Sequence, residues 1–146
     1  MTNSVAYRRA EITDIAVIMT IRLAVRENVL SNPSRVTPKM CEDYLDLLGR
    51  GWVAEIENTV VGFSYADNCD SLIWALFVLP EYEGRGIGKG LLKLAVHWPL
   101  GLGNDSVKLG TAANTRADRF YAAQGWTRGN MKNDIEVEYT LLRPEA

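Results

Sequence analysis

Between residues 77 and 92 the chain runs from an apolar stretch, Phe77-Val78-Leu79-Pro80, through Glu81-Tyr82-Glu83 into Gly84-Arg85-Gly86-Ile87-Gly88-Lys89-Gly90-Leu91-Leu92. Glycine takes every second position at Gly84, Gly86, Gly88 and Gly90. Each glycine inside a helix costs about 1 kcal/mol relative to alanine, so this run needs bare backbone for a reason. Glycine permits positive φ and lets a ligand approach the main chain. At a helix start such a turn aims several N–H groups at one point, where the helix dipole adds positive potential. Phosphate is the usual guest. A tight corner alone would need only one glycine.

The flanks predict a strand, a loop and a helix. Ser71 to Leu79 is a nearly unbroken apolar run of strand length, and Pro80 suits a strand end. Beyond the glycines, Ile87, Leu91, Leu94, Ala95 and Trp98 recur at helical spacing, with Pro99 and Gly101 as stop signals. A Walker A loop does not fit, because Gly84 and Gly88-Lys89 stand too close and Gly90 occupies the place of the hydroxyl. The dinucleotide fingerprint fails too, since the run sits mid-chain and its glycine spacing continues past the pattern.

Glu83-Gly84-Arg85-Gly86-Ile87-Gly88 resembles the acyl-CoA-binding motif of the GCN5-related N-acetyltransferases (GNAT), Gln/Arg-x-x-Gly-x-Gly/Ala. Glu83 departs from the family's Gln or Arg, which removes a side-chain contribution but leaves the backbone cradle. A second motif follows in order and at the family's spacing: Asn114, Ala117, Tyr121, Gly125 and Trp126. The resemblance is firm over the C-terminal half and rests on element order over the N-terminal half.

Length and composition agree with one domain, 1–146, with a single core. The chain has 146 residues, 47% hydrophobic and 23% charged. A net charge of −2 leaves no footprint for nucleic acid. No apolar run reaches membrane-spanning length, and Met1 to Arg9 lacks an apolar signal core, so a cytoplasmic protein with no membrane partner is expected. Cys41 and Cys69 are expected as free thiols. His97, the only histidine, is expected at the surface or in a structural role near a helix end, and a histidine-rich metal site is excluded by count.

Along the chain, Val5 to Glu11 reads as a strand, and Thr13 or Asp14 caps a helix that fades near Asn28. Thr37-Pro38 opens a second helix that Gly49 ends. Trp52–Ile56 and Val60–Tyr65 form a hairpin across Asn58-Thr59. Val107–Thr111 is a strand, Thr115–Gln124 a helix with Gly125 after it, and Ile135–Leu141 a final alternating strand. The order β-α-α-β-β-β-α-β-α-β-β is mixed α/β and is that of the acyl-CoA N-acyltransferase (GNAT) fold. The resemblance implies a mixed central sheet with splayed strands and flanking helices, with the cofactor in the gap.

It also implies the chemistry: an amine attacks the acetyl thioester of acetyl-CoA directly, without a covalent enzyme intermediate. The N–H groups around Arg85, Gly86, Gly88, Lys89 and Gly90 are assigned to the diphosphate, and the Arg85 and Lys89 side chains to charged contacts or a solvated face. The motif as a whole, Glu83, Gly84, Arg85, Gly86, Ile87, Gly88, Lys89 and Gly90, is the expected cofactor loop. The backbone of Phe77 and Val78 would pair with the pantetheine arm, and the Val78 N–H would polarise the thioester. Asn114 and Ala117 join the cofactor set, Asn114 with helix capping as the alternative. Tyr121, two helical turns beyond Asn114, would protonate the leaving thiolate, leaving Phe120 to the core.

Relatives that acetylate protein N-termini carry a Glu where this chain has Leu109, which argues against that mechanism. Glu27 is the candidate base, with Asp67, Asp70 and Glu81 behind it. The acceptor set is Arg22, Arg26 and Trp74, with Trp52 as a further lining or core residue. Arg22 falls on an apolar stripe, where a charge needs a partner, either a core carboxylate or the carboxylate of a ligand in a cleft. The expected partner is a small amine, with a homodimer left open. A peptide or protein N-acetyltransferase, an acyl-CoA-sensing module and an ATP-binding module are the rivals.

Overall fold

The structure is a computed structural model that describes residues 4–24, 38–45, 48–67 and 70–143. Its strands are β1 (Val5–Arg9), β2 (Gly49–Ile56), β3 (Thr59–Asp67), β4 (Leu72–Val78), β5 (Ser106–Ala112), β6 (Thr127–Met131) and β7 (Glu136–Leu142). Its helices are α1 (Ile15–Ala24), α2 (Pro38–Asp43), α3 (Ile87–Gly101) and α4 (Arg116–Ala123). The strands form one seven-stranded sheet in the order β1-β2-β3-β4-β5-β7-β6. Every pairing is antiparallel except β4 with β5.

That parallel pair is where the sheet parts. β4 and β5 meet at a single register position, Leu72 opposite Lys108, with the Lys108 N–H donating to the Ser71 carbonyl at 2.9 Å. A bulge drives them apart. On β3, Tyr65 pairs with Ala75 while Ala66 pairs with Ile73, so Trp74 is the extra residue. A bulge bends its strand and raises its twist. Beyond it, the facing edges of β4 and β5 are unpaired.

The core has two faces. Ile18, Ile21, Cys41, Val53, Phe63, Tyr65 and Phe77 pack under α1 and α2. Ile87, Leu91 and Ala95 of α3 and Tyr121 of α4 pack with Val61, Val107, Leu109, Val137 and Tyr139 on the other face. The Ser64 hydroxyl, buried on β3, donates to the Leu91 carbonyl at 3.1 Å and ties α3 to the sheet. Arg8 reaches from β1 to both carboxylate oxygens of Asp14 at 2.8 Å and to Glu55 at 2.6 Å, fixing the approach to α1.

Several boundaries differ from the sequence reading. Gly49 does not end α2. It opens β2 opposite Asp67, where a Cβ would meet the Ala66 carbonyl at 2.1 Å. The β2–β3 turn is Glu57-Asn58, at φ 50° and 65°, and not Asn58-Thr59. A two-residue turn with both φ positive matches the twist of its strands. Pro99 does not stop α3, which runs to Gly101. One missing N–H near the helix end is a small loss, and the ring is fully buried. β6 is exposed throughout, so it shows no alternation. Cys41 is a buried free thiol, and Cys69 lies outside the described residues. His97 is exposed on α3.

Candidate active site

Three elements converge on a cleft of about 330 Å³: the end of β4, the loop into α3, and α4. Leu76, Phe77 and Val78 form its inner wall, Tyr82, Glu83, Gly84 and Gly86 to Lys89 its rim, and α4 faces them with Arg116, Ala117, Phe120, Tyr121 and Gln124.

The glycines have separate tasks. Gly84 and Gly86 sit at φ 77° and 82°, in the left-handed region that side chains avoid. Gly86 caps α3, so the amides of Ile87, Gly88 and Lys89 have no acceptor among the described residues and face the cleft rim. The Gly90 N–H instead donates to the Gly86 carbonyl at 3.1 Å. Gly90 is therefore a correction to the expected phosphate set: its amide is used inside the helix. Its missing side chain makes room for Tyr7 of β1, whose hydroxyl lies 2.3 Å from where a Cβ would stand. Arg85 is also absent from the lining, and its guanidinium lies over the Tyr82 ring, 5.1 Å from the centroid.

Strand parity corrects a second expectation. The Leu79 N–H donates to Val61 at 2.9 Å, and the register pairs Phe77 with Phe63. In an antiparallel ladder bonded pairs alternate, so Phe77 turns its amide and carbonyl to β3. Phe77 thus offers the cleft no free backbone. Leu76 and Val78 point theirs into the gap. Across the gap, Ala113 bonds Ile135 and Arg143 bonds Asp105, so the odd residues of β5 are taken by β7. Gly110 and Ala112 face the gap, and the Ala112 carbonyl accepts from the Thr115 hydroxyl at 2.7 Å.

A smaller cavity of about 60 Å³ continues the gap, lined by Ile73 to Phe77, Leu109 to Thr111, Ala117 and Tyr121. Tyr121 borders both spaces. It is only 6% exposed and packs on Phe120, Trp126 and Tyr139. The expected division of labour is reversed, because Tyr121 is the buried ring and Phe120 the half-buried one. Burial pushes the Tyr121 phenol well above its ordinary value, so it stays protonated. Its hydroxyl has no hydrogen-bond partner among the described residues.

Trp74 lies on the α2 side, stacked on Tyr65 at 4.7 Å between centroids and edge-on to Tyr44 at 5.1 Å. Its indole N–H is buried without a partner among the described residues. Trp52 packs against Trp98 in the core. Leu109 is 2% exposed and apolar, so this position offers no proton acceptor.

Asn114 does not line either space. It is exposed at φ 64°, outside α4, and so shares no helix face with Tyr121. The cap of α4 is Thr115, whose hydroxyl accepts from the Asp118 N–H at 3.3 Å. The Asp118 carboxylate in turn accepts from the Asn114 N–H at 2.7 Å, from Arg128 at 3.1 Å and from the Tyr139 hydroxyl. Arg128 first, and Tyr139 and the Asn114 amide after it, hold Asp118 far below the usual carboxylate range. This network fixes the helix that carries Arg116, Ala117 and Tyr121.

Arg22 is half-buried on the last described turn of α1. Arg26 and Glu27 lie outside the described residues. Asp67 sits at the closed end of the gap opposite Gly49 and Leu72, and Asp70 and Glu81 are exposed.

A split parallel pair beside a glycine-capped helix start is the architecture of an acyl-CoA-binding transferase. The sequence profile of the acetyltransferase (GNAT) family matches residues 18–126, and the chain belongs to that family, whose co-substrate is acetyl-CoA. An uncharacterised N-acetyltransferase from Archaeoglobus fulgidus is 40% identical over 86 residues, 52% of this chain. The match spans 58% of that relative's length. A PaiA N-acetyltransferase from Thermoplasma acidophilum, solved in complex with coenzyme A, superposes with a TM-score of 0.77 at 16% identity, covering 96% of this chain and 99% of that one. The ribosomal-protein-S18-alanine N-acetyltransferase from Escherichia coli superposes with a TM-score of 0.79 at 15% identity, covering 98% and 96%. Among the described residues, no helix is long and apolar enough to cross a membrane.

Proposed function

We propose that this protein transfers the acetyl group of acetyl-CoA to the primary amine of a small acceptor by direct attack. The observation that carries the reading is the unpaired β4 edge at Leu76 and Val78, opening onto a cleft rimmed by the free amides of α3. A helix start with open N–H groups suits the coenzyme's diphosphate, and Lys89 adds charge. Leu76 and Val78 give the amide groups of the pantetheine arm a strand edge to pair with. The Val78 N–H stands ready to polarise the thioester carbonyl. Tyr121, kept protonated by burial, supplies the proton that the departing thiolate needs.

On the acceptor side, Trp74 offers an indole N–H with no partner among the described residues, and Arg22 a positive charge for an acidic group on the acceptor. Arg26 and Glu27 belong to the same proposal, Glu27 as the base. A peptide acceptor is the second reading, favoured by the main-chain groups that Gly110 leaves open on β5 and opposed by Leu109 at the expected position of the base.

The deciding measurement is thiol release from acetyl-CoA against a panel of small amines, amino acids and short peptides. Turnover with small amines alone supports the first reading, and turnover with peptides alone replaces it with the second. Binding of acetyl-CoA without turnover of any amine would make the protein a sensor.

A further inference from the structure

Glu83 is a carboxylate on the rim of a cleft otherwise suited to anions. It borders the same space as the open amides of Ile87, Gly88 and Lys89. A negative side chain there opposes a diphosphate. It is not left alone: its Oε2 lies 2.8 Å from Nη1 of Arg116. Arg116 is the first residue of α4, on the opposite wall. The ion pair therefore bridges the cleft, from the loop before α3 to the start of α4.

The pair is wet. Arg116 keeps 54% of its side chain exposed and Glu83 28%. Exposed pairs contribute little, so exchanging this one costs little. A guanidinium binds phosphate oxygens in a planar, two-pronged geometry that an ammonium lacks.

We propose that Glu83 and Arg116 form an exchangeable latch: Arg116 leaves Glu83 for the diphosphate of the bound coenzyme, and Glu83, left at the rim, limits how tightly that coenzyme is held. The inference rests on reading this cleft as the cofactor site. Acetyl-CoA and CoA carry the same diphosphate, so its contacts hold substrate and product equally and do not lower the chemical barrier. Extra grip there only delays product release. A carboxylate beside the diphosphate offsets that grip, and its pairing with Arg116 keeps the empty cleft charge-balanced.

Calorimetric titration of CoA and of dephospho-CoA into the wild type, Glu83→Gln and Arg116→Gln tests this. Both side chains reach solvent, and melting of each unliganded variant checks that the fold is kept. Glu83→Gln should tighten CoA binding about fivefold, and Arg116→Gln should weaken it roughly tenfold. Both shifts should persist with dephospho-CoA, which keeps the diphosphate and lacks the 3′-phosphate. If Glu83→Gln binds CoA no tighter than the wild type, or if either shift disappears with dephospho-CoA, the latch is wrong while the cofactor reading stands. If the wild type binds no CoA at all, the cofactor reading falls and the latch with it.

Discussion

Tyr121 has two properties that usually exclude each other: it is packed like a core residue, yet it borders both the cleft and the gap. Packing locks the ring, and the split sheet gives it access. Because burial raises its pKa, the phenol remains a proton donor across the neutral and mildly alkaline range. Tyr121→Phe should lower kcat by roughly a hundredfold and leave CoA affinity nearly unchanged, measured by steady-state kinetics beside calorimetry. A collapse of affinity with unchanged kcat would remove the acid role. Gly86 and Gly90 separate in the same way. Gly86→Ala forces a side chain to φ 82°, at a cost of about 1–2 kcal/mol, and should weaken CoA binding as the cradle shifts. Gly90→Ala instead meets only the outer end of the exposed Tyr7 side chain, which can turn aside, so it should change stability in urea denaturation by less than about 1 kcal/mol, while CoA affinity is retained. Equal losses of affinity in the two variants would contradict the role given to Gly90.

At the scale of elements, α4 is held by one carboxylate. Asp118 joins the helix cap, the Asn114 turn, Arg128 at the start of β6 and Tyr139 of β7. Its folded pKa lies below its unfolded one. The stabilisation is therefore complete above the unfolded value of about 4 and is lost as pH falls below it. Asp118→Asn should cost about 2–3 kcal/mol at pH 7 by loss of charged hydrogen bonds. The difference from the wild type should shrink steadily in melts taken below pH 4. A gap that stays constant into acid would show that the carboxylate's charge is not what stabilises α4. The variant should also lose activity beyond its loss of stability, since α4 carries Tyr121 and Ala117.

At the scale of the whole molecule, the sheet is two antiparallel blocks, β1 to β4 and β5 to β7, joined by one parallel register position and by the helices packed over them. A ligand in the gap binds both blocks and so binds only the folded state. CoA at a hundred times its Kd should add about 2.7 kcal/mol of stability. That corresponds to a rise in Tm of about 5–10 °C by differential scanning calorimetry. ATP at the same concentration should leave Tm unmoved. An equal rise with ATP would favour a general nucleotide site.

The sequence by itself determined what is local. The run from Gly84 to Lys89 shows a helix start with open amides, because glycine spacing and helix periodicity are properties of neighbouring residues. The order of strands and helices, the α4 motif ending at Trp126, and the resemblance they carry were legible for the same reason. Tertiary structure decided which of those groups are available. Gly90 is occupied by Tyr7 from β1, 83 positions away in a chain whose folding alone makes them neighbours. Phe77 and Leu76 exchange backbone roles because the register with β3 sets which side each amide faces, and a bulge at Trp74 is invisible in composition. Glu83 meets Arg116 across the cleft through a 2.8 Å contact that no spacing rule foresees. Periodicity reports which way a side chain points from its own element; only packing and strand pairing fix what it meets there.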